Sequence, residues 1–397
     1  MSSVVHFPFV FAKANILLAS GELVTVFVEA CLAWFCSIHV KMLDYLFCCL
    51  ELLQVVFRKP ANIWRLCIAL PVLLLMGLAM PRLIYFLLFQ VVFLFVMSYL
   101  KPSWIMEFMN WLNLQRNGYA VKYQTVGDFT YCYAERGRPS QNVPSILFLH
   151  GLSASKEMWF PMVTAIPRDR HVILLDMPGH GNSSRRLDYN YSFVNQASRV
   201  AQFVITTGLG KKPFHLVGIS MGGGVAVAFA ATHPRDVTKL SLLCPAGFAE
   251  WMKGDYMQDA KKGLLVTDSS WMPINTDEQR KAIPYLFHGA GLKIPKLYSW
   301  LAFEIMSMKR DIHGKVSSDL EADVNNKVLH KHITKVEAPT QVLWGKYDRL
   351  VHPSGAEVVK AALPASQVHI VENCGHTISY DRPFRAMKLI LEFLDSL

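Results

Sequence analysis

The chain has 397 residues, 52% of them apolar and only 18% charged, with a formal net charge of +10. That apolar content excludes a disordered chain, and the composition excludes collagen, coiled-coil and disulfide-scaffold classes. A charged fraction below the roughly 25% of ordinary soluble domains points to a part that faces lipid or lies unusually deep. No block of five like charges occurs, so the basic excess suits an anionic membrane surface and not a nucleic acid, which needs a concentrated basic stripe.

Charge is unevenly placed. Residues 1–115 hold seven basic and five acidic side chains, out of 40 and 30 in the whole chain. Between Leu66 and Leu100 the sole charge is Arg82, the pattern of a membrane segment. As one helix this run would extend about 50 Å, too long for a hydrocarbon core of roughly 30 Å. Either residues 83–100 span once with 66–80 packed beside them, or both cross as a hairpin turning at Met80-Pro81-Arg82. Arg58, Lys59 and Arg65 precede the pair, and Lys101 and Arg116 follow it. The hairpin keeps both flanks in the cytosol, whereas a single pass sends the following domain to the lumen; a cytosolic domain is the preferred expectation. Residues 24–40 and 43–57 are weaker candidates, because Glu29, His39, Asp44 and Glu51 fit interfacial or bundle-packed helices as well as spans. No basic stretch precedes the first apolar run, so a cleaved signal peptide is not expected.

Of the eight cysteines, five lie in this membrane part, and Cys132, Cys244 and Cys374 are scattered beyond it. That is no disulfide framework. Neither Cys-x-x-Cys nor His-Glu-x-x-His occurs, so no metal site is expected. The sequons Asn182-Ser183-Ser184 and Asn190-Tyr191-Ser192 matter only for a luminal domain.

The second part, residues 116–397, reads as one α/β domain in which short β-rich runs alternate with helical stretches from residue 120 onward. Candidate strands are Val121–Val126, Phe129–Glu135, Ile146–Leu149, Val172–Leu175, Phe214–Val217, Leu240–Leu243, Val342–Trp344 and Val368–Val371. Uninterrupted apolar runs such as Ile-Leu-Phe-Leu predict strands buried on both faces, hence a mostly parallel sheet flanked by helices. Residues 249–333 lack strand signals and read as an inserted helical cap.

One motif carries chemistry. Gly218-Ile219-Ser220-Met221-Gly222 follows an apolar strand and precedes the helical Val225-Ala226-Val227-Ala228. A Gly-x-Ser-x-Gly in that context is a nucleophile elbow, where the serine takes a strained turn and Gly218 and Gly222 avoid collisions with backbone. A phosphate loop would need a following Gly-Lys-Ser/Thr, which is absent. A serine hydroxyl needs a base, and the base needs an acid to hold its tautomer, in the chain order Ser, acid, His. His376 in Asn373-Cys374-Gly375-His376 follows the last strand; Asp348 in Trp344-Gly345-Lys346-Tyr347-Asp348 follows the penultimate one. Asp311, Asp319 and Asp323 are rivals that follow no strand. The oxyanion needs two backbone donors: the amide of Met221, and that of Leu152 in His150-Gly151-Leu152-Ser153, after the Ile146–Leu149 strand.

The elbow, the His-Gly loop and the closing Gly-His resemble those of the α/β-hydrolases, and within that fold the membrane-anchored monoacylglycerol lipases. Further shared runs are Arg136-Gly137-Arg138-Pro139, Met158-Trp159, Asp176-Met177-Pro178-Gly179-His180, Lys211–Gly218, Cys244-Pro245-Ala246-Gly247 and Glu372–His376. The resemblance runs from Tyr119 to the C-terminus and is thinnest in the cap. It implies an α/β-hydrolase fold with an eight-stranded sheet and helical cap, and Ser220, Asp348 and His376 as the triad. It also implies cofactor-free hydrolysis of monoacylglycerols and lysophospholipids at the cytosolic membrane face, on endomembranes or on late endosomes and lysosomes. Three features depart from the family pattern: the long apolar leader, Leu152 where Phe is usual, and Asp381 where Glu is usual. The last creates His376-x4-Asp381, which resembles a motif proposed for acyl transfer; the simpler expectation is that Asp381 caps the helix beginning near Arg382-Pro383.

The expected function is therefore a membrane-bound serine esterase acting on a lipid acyl ester, with the bilayer and the lipid as partners and no nucleic acid; nothing names a protein partner. Acyl transfer on the same triad and a non-catalytic membrane scaffold are the alternatives. In the cap, Trp251, Met252, Trp271, Met272, Tyr285, Leu286, Phe287, Trp300, Leu301, Phe303 and Met306 either pack the cap onto the core or face a lipid tunnel or the bilayer.

Overall fold

The computed structural model describes residues 103–249, 254–267, 272–288, 303–304 and 306–396. The membrane candidates at 24–40, 43–57, 66–80 and 83–100 lie outside the described residues. Among the described residues no helix is long and apolar enough to cross a membrane. Trp251, Met252, Trp271, Trp300 and Leu301 of the cap also lie outside them.

Eight strands form one sheet: β1 (Ala120–Val126), β2 (Phe129–Arg136), β3 (Ile146–Leu149), β4 (Val172–Leu175), β5 (Phe214–Ile219), β6 (Val237–Leu243), β7 (Thr340–Gly345) and β8 (Gln367–Val371). Every predicted strand is present. Their spatial order is β1-β2-β4-β3-β5-β6-β7-β8. β1 and β2 form a hairpin closed between Val126 and Phe129, β2 runs antiparallel to β4, and β4, β3, β5, β6, β7 and β8 are parallel. All residues of β3, β4, β5 and β7 are buried, which is why their apolar runs show no alternation. The edge strand β1 is mostly exposed and carries Lys122 and Gln124, a polar edge that discourages pairing with another chain.

After the hairpin the chain enters the middle of the sheet at β3, adds β4 on the hairpin side, and returns across β3 to lay down β5 on the other side. The loops leaving β3 and β5 thus diverge at a switch point, the crevice where α/β sheets place their ligands. Because Leu149 pairs with Gly218, residues 151–152 and 220–221 emerge side by side at the carboxyl edge. The helix Met221–Thr232 that follows is buried through its first ten residues; a sequence of Gly, Ala and Val there lets it lie close against the sheet and its neighbouring helices.

The inserted region is not uniform. Tyr256, Met257, Leu265 and Ala282 make a small apolar cluster of their own. Ile312, Val316, Leu320 and Val324 of the helix Arg310–Asn325, and Leu329 and Ile333 of Val328–Ile333, belong to the main core. Among its described residues, the first half of the insertion thus has a small apolar cluster of its own, and the second half is part of the main core's packing.

Candidate active site

Ser220 stands between β5 and the helix Met221–Thr232 with φ 53° and ψ −119°, a conformation that L-residues rarely hold unless their surroundings impose it. The surroundings are backbone. Its N–H donates to the Leu243 carbonyl at 2.9 Å, and its own carbonyl accepts from Gly224 at 3.1 Å and Ala246 at 2.9 Å. A Cβ on Gly218 would lie 2.3 Å from the Gly222 carbonyl oxygen, and one on Gly222 would lie 2.2 Å from that of Leu149. Both contacts are impossible, so the two elbow glycines are sterically required where the spacing puts them.

His376 and Asp348 arrive from loops 28 residues apart and meet: His376 Nδ1 lies 2.7 Å from Asp348 Oδ2. Both side chains are buried. The other carboxylate oxygen accepts from the amides of Leu350 at 2.9 Å and Val351 at 2.8 Å, so the acid is held by its own turn. A carboxylate acceptor at Nδ1 places the ring proton there and leaves Nε2 with a lone pair, the tautomer a general base needs. Among the described residues no hydrogen bond joins the Ser220 hydroxyl to the His376 ring. Such contacts are commonly long in unliganded sites and tighten around a substrate.

The loop expected to supply an oxyanion donor approaches as the strand register requires. A Cβ on Gly151 would lie 3.3 Å from Ser220 Cβ and 3.8 Å from its Oγ. His150, fully buried, sets the next peptide: its Nδ1 lies 2.7 Å from the Gly151 carbonyl oxygen, and its Nε2 accepts from the Met177 amide at 2.9 Å. With the Gly151 carbonyl turned to this ring, the Leu152 N–H lies on the opposite side of the same trans peptide. Met221 contributes the first amide of its helix, which has no carbonyl one turn earlier to bond and sits at the positive end of the helix dipole. The sequence pointed to Gly151 as the device of this loop; the positioning part of His150's side chain was not legible, because its partner Met177 comes from the loop after β4.

Cys244 Sγ, an Asp348 oxygen and a His376 ring nitrogen all lie within 4.8 Å of one another, a spacing that metal ligands also share. Burial, with Asp348 adding to it, pushes the Cys244 thiol well above its ordinary value, so it stays protonated and is a poor ligand. Its Sγ instead accepts from the Gly345 amide at 3.4 Å.

Asp381 does not do what the sequence suggested. The helix Pro383–Asp395 has Arg382 at its N-cap and no side-chain cap hydrogen bond. Asp381 Oδ2 accepts instead from Gly375 N at 2.7 Å and from His288 N at 2.8 Å. The expectation failed because a loop amide and a cap amide 93 residues away in sequence compete successfully for the carboxylate. The rival acids Asp319 and Asp323 accept from the amides of Tyr191 and Phe193, both at 2.8 Å, which ties their helix to the domain.

Residues 144–383 match the family model described as alpha/beta hydrolase fold. The chain is 38% identical over 307 residues to monoacylglycerol lipase abhd6-B of Xenopus laevis, covering 76% of this chain and 90% of that protein. It is 35% identical over 305 residues to human monoacylglycerol lipase ABHD6, with the same coverage. Among solved structures, a bacterial membrane phospholipase A superposes with a TM-score of 0.64 at 27% identity, covering 79% of this chain and 98% of that one. This chain belongs to the α/β-hydrolase family, as an enzyme of its serine lipase and esterase class.

Proposed function

We propose that this enzyme is membrane-bound and cleaves monoacylglycerol to glycerol and a fatty acid through an acyl-enzyme on Ser220. The observation that carries the reading is the 2.7 Å contact between His376 Nδ1 and Asp348 Oδ2 at the same sheet edge as the Ser220 elbow. His376 Nε2 takes the hydroxyl proton as Ser220 Oγ attacks the ester carbonyl, and the amides of Met221 and Leu152 stabilise the oxyanion. The imidazolium then gives its proton to the leaving glycerol oxygen. A water activated by the same nitrogen hydrolyses the acyl-enzyme. No cofactor enters these steps.

The names of the relatives support the substrate, since those proteins are monoacylglycerol lipases. The apolar leader supports the setting: a monoacylglycerol resides in the bilayer, and an enzyme held there meets it at high local concentration. Lysophospholipids are a second substrate class, favoured by the likeness to a membrane phospholipase A. The catalytic domain faces the cytosol in this reading, and protease protection of sealed vesicles tests that side.

The central test is Ser220→Ala in the full-length protein. A fluorophosphonate probe labels the wild type and not the variant, and turnover of a monoacylglycerol drops about 10⁶-fold. Wild-type protein that fails to label while releasing fatty acid would remove Ser220 as nucleophile. Glycerol and lysolipid acceptors added to the same assay separate hydrolysis from acyl transfer.

A further inference from the structure

His376 sits between two peptide amides that are both tied down. Gly375 N donates to Asp381 Oδ2 at 2.7 Å, and Thr377 N donates to the Leu286 carbonyl at 2.9 Å. Leu286 ends the cap helix Thr276–Leu286. The same Asp381 oxygen also accepts from His288 N at 2.8 Å, two residues beyond that helix end. One carboxylate oxygen therefore joins the loop that carries the base to the cap.

The approach is tight. A Cβ on Gly375 would lie 2.9 Å from His288 N and 3.1 Å from the Leu286 carbonyl oxygen, so the two backbones touch where only glycine fits. The His288 ring stacks on Tyr347 with centroids 4.1 Å apart and planes 12° apart. Tyr347 directly precedes Asp348, so the cap end also rests on the turn that presents the acid. Movement of residues 286–288 relative to the sheet must disturb both partners of the His376–Asp348 contact.

We propose that Asp381 is a positioning residue for His376: it clasps the end of the cap helix to the base's loop, so that the base is aligned only when the cap is seated. The inference rests on the reading of Ser220 and His376 as nucleophile and base. The role asks of Asp381 one oxygen that accepts two N–H bonds, and not a proton-transferring carboxylate. It therefore gives His376-x4-Asp381 a mechanical meaning in place of the acyl-transfer one that the spacing suggests.

The test uses full-length protein in detergent, a short soluble ester and a fluorophosphonate probe. Asp381→Leu keeps the branching of the side chain, with bulkier methyl groups in place of the oxygens, and removes the acceptor; it lowers kcat and the labelling rate about 10- to 100-fold, with KM changed less than threefold, since a misplaced base costs on that order. Its pH–labelling profile shifts its inflection, because the ring no longer rests squarely on Asp348; a purely structural defect lowers the amplitude and leaves the inflection in place. Asp381→Asn, whose carbonyl oxygen can accept the same two amides, recovers most of the loss. Gly375→Ala, which forces the two backbones apart from the other side, reproduces the slow labelling, and it carries the test if Asp381→Leu does not fold. Wild-type labelling in Asp381→Leu, or in Gly375→Ala where the leucine variant is not obtained, overturns the proposal. So does an Asn variant as impaired as the Leu one, which would mean the carboxylate acts chemically. Failure of the underlying reading looks different: the wild type itself would not label at Ser220.

Discussion

At His376 one carboxylate decides which nitrogen works. Asp348 accepts from Nδ1 and is itself held by two amides of its turn, so it orients the ring; in the proposed mechanism it also steadies the imidazolium without taking a proton. Asp348→Asn keeps the shape but offers an N–H to Nδ1, which moves the ring proton to Nε2 and removes the lone pair facing the serine. We expect kcat on a soluble ester to fall by about 10⁴-fold; a loss under tenfold would show that the ring finds its tautomer without Asp348. At this scale the sequence was informative, because chain order and position after a strand singled out Ser220, Asp348 and His376 among many alternatives. It was silent about the role of the His150 side chain and pointed Asp381 to a helix cap it does not make, because their partners Met177 and His288 lie on other elements.

The elements explain how the site meets its substrate. Residues 151–153 leave β3 beside the elbow, and Met272 of the insertion meets the last of them, with its Sδ 3.6 Å from Ser153 Oγ. Met272 is 8% exposed, so a flexible apolar side chain packs against Ser153 beside the elbow, and under the proposed function we expect it to contact the acyl chain. Met272→Gln should lower kcat/KM for a long-chain ester about tenfold, in line with the loss of a few methylene contacts, and leave a short soluble ester within about twofold. Equal losses on both esters would assign Met272 to folding alone. The aromatic and Met-rich composition of the insertion was legible in the sequence. Its division was not: Leu329 packs against the elbow helix, where its Cδ1 would meet a Cβ on Gly224 at 2.9 Å, a contact that no local pattern announces.

The whole molecule carries a set of buried neutral histidines. His150, His180 and His313 form a column from the oxyanion loop to the insertion, with ring centroids 5.2 Å apart at each step, and His215 lies in β5 against Ser241. Burial lowers His150 to about 4 and His180, His313 and His215 to about 3. The unfolded chain titrates near 6.5. Above that pH these rings are neutral in both states and make no difference. As pH falls below about 6.5 the unfolded chain takes up protons that the folded one refuses, so stability declines until the folded values near 3 to 4 are reached. Each histidine contributes a slope of up to about 1.4 kcal/mol per pH unit. Thermal melts of the full-length protein in detergent should show Tm dropping steadily from pH 7 to pH 5, above the range where carboxylates titrate, and His313→Leu should flatten that drop. A Tm constant over this range would contradict the burial of these rings.

By itself the sequence determined the strand inventory and the place of the elbow, and it named Asp348 and His376 as the pair that the fold then brings into contact. These are local matters: strand period, glycine at positions where backbone crosses backbone, and polar residues placed just after apolar runs. Only the tertiary structure decided which carbonyl His150 holds, where Asp381 spends its oxygen, and which helices of the insertion belong to the core. Those depend on contacts between segments far apart in the chain, where a hydrogen bond is won by whichever donor the fold brings nearest, and sequence spacing carries no measure of that distance.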